Sequence, residues 1–488
     1  MHSSSISRRS FLRQFNCAAI SSSAVLNTLL NLKLANSAAA DGIAPGTDAK
    51  ALVCIFFSGG IDSFQMLVPY EQARYNSYSL SRGAFASEGG LALDRNALLA
   101  TRLTGAASDF AFHPSMVGLH QMATGTGDFT GKKRLAPITN IGTLVQPITK
   151  PQYTSWVNGS NAALPVPRAL FSHSDQIDQW QTAIPQGMQE LSGWAGRAAD
   201  ILHSAYNTSA TSMNISLAGN NVLQVGRNTT QFVITPKGSL SFQSNGAPNV
   251  LKNQTLRNTL DDNYNNLLSQ SFAKLTKNSV EAQENFQSQF DSALGDLGSA
   301  AAFFPPTNGL ASTLKAVLRT IKIRGALGLR RQTFFVNVGG WDMHGDLLTP
   351  QASQLLQVDS ALTAFQKGLE ALNLADDVIT FTASDFGRTL RSNGRGTDHA
   401  WGGNAFVMGG PVDGGKIFGN YPDLTLDGPD DIGFGGRLLP STSVDVYFAE
   451  MLRWFGVPAA QMAAVLPNIG NFWNPLSNTP PLGFIKPG

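Results

Sequence analysis

The sequence predicts an α/β fold in which helices cover both faces of a doubly wound, mostly parallel sheet. Several short apolar runs are hydrophobic throughout instead of alternating, which is typical of strands covered on both faces. Helical patterns lie between these runs, and the order strand, helix, strand favours parallel pairing. The chain has 488 residues, of which 42% are hydrophobic, and this is enough to bury a large core.

The individual elements follow from local patterns. The predicted strands are residues 51–57, 134–142, 331–338, 376–383 and 404–409. Between the third and fourth strands, residues 351–372 place Leu355, Leu362, Phe365 and Leu369 on one stripe at helical spacing. We therefore predict a crossover helix there that packs against the sheet.

The chain divides into four predicted parts. Residues 1–40 resemble a twin-arginine signal peptide, because Arg8 and Arg9 precede a modestly apolar stretch and small residues, with no acidic residue. Residues 41–204 and 331–488 are predicted to be the two parts of the α/β domain. Residues 205–330, which open with Asn, Ser and Thr, are predicted to be an insertion or cap; this region is either purely structural or a wall of a substrate pocket.

Charge and cysteine content exclude several classes of partner. Four of the 35 basic residues lie in the first forty, which leaves 31 basic and 33 acidic residues after cleavage and argues against a nucleic-acid partner. Of the two cysteines, Cys17 leaves with the signal, so Cys54 can form neither an internal disulfide nor a cysteine zinc site. No later apolar run is long enough for a stable membrane span. We predict a periplasmic or secreted protein whose export partner is the twin-arginine machinery.

Acidic and imidazole groups follow three of the predicted strands. They are Asp62 after the first strand, Asp342 and His344 after another, and Asp385, Asp398 and His399 after a third. Because the carboxyl ends of parallel strands meet at one edge, we expect these groups to meet there. Mixed carboxylates and imidazoles suit a divalent metal, Zn²⁺ or Mn²⁺ most of all, as one ion or two. Each group also has a structural alternative: a helix cap, a turn or a loop salt bridge.

Several motifs occur in an order typical of one family. They include SRRSFLR, SGGIDSFQMLVPY, FAFHPSM, LFSHSDQIDQWQ, GGWDMHG, SDFGRT and GTDHAWGGNAF. The chain resembles the bacterial twin-arginine-exported proteins grouped as domain of unknown function 1501, which are in turn similar to the alkaline phosphatase and sulfatase superfamily. That resemblance implies metal ligands at Asp62, Asp342, His344, Asp385 and His399. Phe386 departs from it by replacing a usual histidine, so a single metal, or Asp398 as a substitute ligand, is an alternative.

The resemblance also implies catalytic residues. By chain order, Ser115 is the candidate nucleophile or else a helix cap, and His113 beside it is a ligand or an acid. Arg388 either clamps a phosphate or sulfate oxygen or pairs with Asp385. His173 and Asp175 in LFSHSDQ resemble site residues, with an ordinary polar turn as the alternative.

The function that follows is an exported metal-dependent hydrolase acting on a small anionic substrate, a phosphate or sulfate ester. The alternative is a non-catalytic secreted binding or surface-assembly protein on a sulfatase-like fold, because the nucleophile is not placed and a histidine is missing at Phe386.

Overall fold

The computed structural model describes residues 48–84, 89–187, 191–209, 211–239, 247–262 and 264–487. The predicted signal peptide, residues 1–40, lies outside the described residues.

The strands form one large sheet and one small one. They are β1 (Lys50–Phe57), β2 (Leu67–Pro69), β3 (Phe110–Phe112), β4 (Leu135–Gly142), β5 (Asn214–Ser216), β6 (Phe232–Thr235), β7 (Gly238–Ser239), β8 (Arg331–Val338), β9 (Val378–Ser384), β10 (Gly403–Gly409) and β11 (Thr442–Ser443). The nine-stranded sheet has the order β11-β4-β10-β9-β1-β8-β5-β6-β7, while β2 and β3 pair separately. Most neighbouring strands are parallel, and β10 runs antiparallel to both of its neighbours. The predicted mixed α/β fold with a mostly parallel sheet is confirmed.

Helices connect most of these strands. They are α1 (Gln72–Ser81), α2 (Val117–Thr124), α3 (Lys150–Val157), α4 (His173–Thr182), α5 (Trp194–Tyr206), α6 (Ala247–Leu260), α7 (Leu267–Asp291), α8 (Gly309–Lys322), α9 (Leu348–Ala371), α10 (Val444–Phe455) and α11 (Met462–Val465). The predicted crossover helix is α9. Among the described residues, no helix combines the length and the apolar character needed to cross a membrane.

The core is built around the central strand β1. Seven consecutive residues, 51–57, are buried, because β1 lies between β9 and β8 and both of its faces are covered. Leu362 and Phe365 of α9 and Phe381 of β9 belong to the same buried cluster. The five predicted strands match β1, β4, β8, β9 and β10, so continuous hydrophobicity identified the strands that hold the sheet together.

Part of the region 205–330 pairs with the sheet. Its strand β5 pairs in parallel with β8, with Ile215 opposite Phe334, and β6 and β7 continue the sheet beyond it. Helix α7 lies against this edge, where Gln287 accepts a hydrogen bond from the backbone N–H of Ser239 at 2.8 Å. Part of the region 205–330 therefore lies in the sheet, and the division of the chain at residue 205 stays a prediction.

Candidate metal centre

Three adjacent parallel strands, β9, β1 and β8, bring their carboxyl ends to one edge of the sheet. The turn after β1 lies very close to its neighbours, since the backbone N–H of Gly59 donates to Oδ2 of Asp385 at 3.1 Å. Gly59 has φ +116°, and a side chain there would place its Cβ 2.6 Å from the backbone nitrogen of Asp342. Glycine is thus required where the three strand ends meet.

The loop after β9 is a small hairpin that carries the last histidine. Gly387 pairs with Ala400 and Trp401 through two backbone hydrogen bonds of 2.9 and 3.0 Å, and this pairing places Arg388 opposite His399. A Cβ at Gly387 would overlap the carbonyl oxygen of Gly402. The glycines of this loop therefore permit the tight pairing that brings His399 back to the end of β9.

Three histidines and one aspartate converge at this edge, and we call His173, His344, His399 and Asp342 the His–Asp cluster. Nε2 of His399 lies 3.1 Å from Nε2 of His173 and 2.9 Å from Nε2 of His344. The carboxylate of Asp342 lies 2.9 Å from His344, 3.4 Å from His399 and 3.5 Å from His173, measured to each Nε2. His173, Asp342 and His399 each offer a ligand atom, and these atoms lie within 4.8 Å of one another.

The other ring nitrogen of each histidine faces an oxygen. The Nδ1 atoms lie 2.7 Å from Oδ2 of Asp385 for His173, 3.1 Å from Oδ1 of Asp398 for His344, and 2.8 Å from the carbonyl oxygen of Phe171 for His399. A carbonyl or ionised carboxylate oxygen accepts, so each Nδ1 donates and each ring turns its Nε2 toward the cluster. Nε2 atoms that converge while their Nδ1 atoms are supported form a donor set that suits a divalent metal.

Two predicted ligands, Asp385 and Asp398, therefore lie one side chain behind the cluster and orient histidines. Asp385 is buried, and this burial raises the pKa of its carboxyl, although hydrogen bonds from His173 and Gly59 oppose the change. The pKa of Asp398 is lowered by hydrogen bonds from Asn393 and His344. One oxygen of each carboxylate faces an imidazole Nδ1, and Oδ1 of Asp385 is buried without a hydrogen-bond partner among the described residues.

Arg388 is fully engaged by the protein. Its guanidinium is buried and donates to the carbonyl oxygens of Gly60 at 2.8 Å, Thr397 at 2.8 Å and Gly59 at 2.6 Å, and also to Oδ1 of Asp342. Burial opposes ionisation of Asp342, but the hydrogen bond and charge of Arg388 outweigh it and hold the pKa of Asp342 below its usual value. The partner of Arg388 is thus Asp342, not Asp385, and its donors are not free for a substrate anion.

Phe386 forms the floor of the cluster. It is 2% exposed, and its ring centroid lies 4.7 Å from the rings of both His173 and His399. His173, the first residue of α4, supplies the third imidazole from a distant part of the chain. The cluster thus holds three histidines even though Phe386 stands where the resemblance implied a histidine.

The comparisons with known proteins place the chain in a family. Residues 49–431 match the family described as protein of unknown function (DUF1501). The chain belongs to the DUF1501 family. No curated protein matches it. Two solved structures, the crystal structures of Ps i-CgsB alone and in complex with k-i-k-neocarrahexaose, are 9% and 10% identical over 86% of this chain and 72% of theirs, each with a TM-score of 0.30. These values are too low to support an argument about fold or function.

In this DUF1501 protein the predicted ligand Asp62 is not brought to the cluster. Its carboxylate forms an ion pair of 2.6 Å with Arg82, and both side chains are fully buried. Within the described ranges, no hydrogen bond or ion pair joins Asp62 to the His–Asp cluster. The aspartate that follows β1 therefore belongs to a buried ion pair.

The predicted catalytic pair His113 and Ser115 is also not brought to the cluster of this DUF1501 protein. Nδ1 of His113 accepts a hydrogen bond from the backbone N–H of Ser115 at 3.0 Å. His113 is 4% exposed, and burial lowers its pKa to about 4, so the ring is neutral near pH 7. These residues follow β3 of the small sheet, and in the part of the chain that is described neither bonds to a cluster residue.

Substituting Gly60 tests how much the packing of Phe386 beneath the His–Asp cluster contributes to stability. Gly60 has φ +73°, and a Cβ there would overlap two atoms of the Phe386 ring. We expect Gly60→Ala to lower the free energy of unfolding by about 1–3 kcal/mol because the ring must move. Chemical denaturation measures this, with Gly394→Ala as control, since Gly394 also has positive φ but no atom lies within 4 Å of the added methyl. Equal losses in the two variants would show that contact with Phe386 is unimportant.

Proposed function

We propose that this DUF1501 protein is an exported, metal-dependent hydrolase of phosphate or sulfate esters, with one divalent cation held at the His–Asp cluster. The observation that supports this most strongly is the convergence of three Nε2 atoms whose Nδ1 partners are all oxygen acceptors. Nitrogen-rich donor sets favour Zn²⁺ over Ca²⁺ or Mg²⁺, and Mn²⁺ is the next candidate.

Each residue has a defined part in this proposal. His173, His344, His399 and Asp342 hold the cation; Asp385 and Asp398 orient two of the rings, and Arg388 fixes the carboxylate of Asp342. Such a cation supplies a Lewis acid and lowers the pKa of water to near neutral. The side chains of His344 and Asp342 are 42% and 45% exposed, which leaves access for a substrate.

Water is the proposed nucleophile. Among the described residues, no serine or threonine hydroxyl forms a hydrogen bond to a residue of the His–Asp cluster, and Ser115 lies by the small sheet. Attack by water on the phosphorus or sulfur atom would release the alcohol and inorganic phosphate or sulfate. A partly exposed donor set beside buried, preorganised groups suits this type of reaction.

The test uses the exported, folded protein. We expect elemental analysis to find about one divalent metal ion per chain, and aryl phosphate or aryl sulfate to be cleaved by the untreated protein. A chelator should abolish turnover, and restoring the ion should recover it. Bound metal without turnover of either ester would overturn the hydrolase proposal and support the non-catalytic binding protein. Absence of metal, even after reconstitution with Zn²⁺ or Mn²⁺, would overturn the metal centre itself.

A further inference from the structure

A second arginine lies beside the cluster in a different setting. The guanidinium of Arg437 lies over two phenylalanine rings, 3.9 Å from the centroid of Phe171 and 4.7 Å from that of Phe434. Its Nε donates to the carbonyl oxygen of His399 at 2.8 Å. Phe171 in turn accepts the Nδ1 hydrogen bond of His399 through its carbonyl oxygen. Arg437 is therefore tied directly to one residue of the His–Asp cluster.

The terminal nitrogens of Arg437 remain available. Over the ranges that the structure describes, neither Nη atom has a hydrogen-bond acceptor, whereas every nitrogen of Arg388 has at least one. The group is partly buried, and burial lowers the pKa of Arg437. A partly desolvated guanidinium with four free N–H donors is well suited to bind an anion.

The two flanking phenylalanines have unusual backbone conformations. Phe171 has φ +72° and Phe434 has φ +56°, a region that bulky side chains rarely adopt. Phe434 is also 77% exposed. Its loop is closed by a 2.9 Å hydrogen bond from Ile432 N–H to the carbonyl of Arg437, and the loop docks on the site hairpin where Arg391 N–H donates to the carbonyl of Gly435 at 2.8 Å. Strained residues held in this way cluster at ligand sites.

We propose, on the basis of the function proposed above, that Arg437 binds the oxyanion of the ester and that Phe434 packs against the ring of its alcohol. The planar guanidinium fork matches two oxygens of a phosphate or sulfate group. An exposed aromatic face beside it suits a ring-shaped alcohol, either an aromatic one or a sugar. The substrate class is therefore a phosphate or sulfate monoester of a cyclic alcohol.

The test measures anion binding directly. Calorimetry with inorganic phosphate and inorganic sulfate compares the unmodified protein with Arg437→Gln and with Arg395→Gln, a control of equal charge change at an exposed arginine of the site loop. We expect Arg437→Gln to weaken binding of the preferred anion by about tenfold or more, since a charged hydrogen-bond donor is lost. Arg395→Gln should leave affinity unchanged, and both variants should keep their metal. Phe434→Ala should raise KM for an aryl ester without changing the affinity for the inorganic anion.

Each contrary result has a distinct meaning. Loss of metal in Arg437→Gln would show that the residue acts only by supporting His399, and would overturn the proposal. Unchanged affinity in that variant, or no binding of either anion to the unmodified protein, would also overturn it. Repeating the titrations after chelation separates this proposal from the proposed function. Arg437-dependent anion binding in a protein that never holds metal would defeat the hydrolase and leave the anion site standing.

Discussion

Replacing His173 with alanine is expected to remove the metal ion proposed for the His–Asp cluster. Its Nε2 is one of three that converge, and the variant leaves only His344, His399 and Asp342 to hold the ion. We expect metal affinity to fall by more than about 100-fold, since loss of an orienting partner alone typically costs about 10–100-fold. Turnover should fall with it, because the cation supplies the Lewis acid. Metal affinity is measured by competition with a chromophoric chelator, and turnover with the preferred aryl ester.

Two further variants provide a control and an intermediate loss of metal affinity for this experiment. His120→Ala removes a histidine whose Nε2 bonds to the carbonyl oxygen of Arg102 at 2.9 Å, outside the cluster, and should leave metal affinity unchanged. Asp385→Asn weakens the support of His173, together with the hydrogen bond from Gly59, and should fall in between, at about 10–100-fold. If His173→Ala keeps full affinity, His173 is not a ligand and the donor set is wrong.

The sheet and the edge that carries the candidate site were predictable because both depend on local patterns. Continuous apolar runs marked β1, β8 and β9, and parallel pairing placed their polar ends together. Asp342, His344 and His399 were therefore identified from chain order alone. What brings these residues together is a general property of parallel sheets.

Which residues face the cluster and which hydrogen-bond to its histidines from behind was not predictable in this way. A carboxylate inside the cluster and one that bonds to the outer nitrogen of a histidine differ in position by only the length of an imidazole ring. Asp385 and Asp398 are of the second kind. His173 comes from the start of α4, and LFSHSDQ alone did not distinguish it from a polar turn. In the same motif, Asp175 pairs with Arg168 at 3.0 Å and plays no part in the cluster. These distinctions arise from packing between distant segments.

Asp62 is another residue whose contacts could not be predicted from the strand pattern. Its position after β1 suggested a ligand, but Arg82, twenty residues later, takes its carboxylate in a fully buried ion pair. Arg82 also donates to the carbonyl oxygens of Thr389 at 3.3 Å and Leu390 at 3.1 Å, so the pair supports the hairpin behind the site. Burial of an uncompensated guanidinium is costly.

We expect Asp62→Ala to lower the free energy of unfolding by about 3–5 kcal/mol, because removal of one partner leaves Arg82 as an unpaired buried charge. Chemical denaturation measures this loss, and Asp128→Ala is the control, since its 2.8 Å ion pair with Lys367 is 52% exposed at the carboxylate and should contribute no more than about 1 kcal/mol. Protein that remains folded should keep its metal, because Asp62 bonds to no cluster residue among those described. Loss of metal with unchanged stability would instead make Asp62 a ligand, and would require the end of β1 to turn toward the histidines.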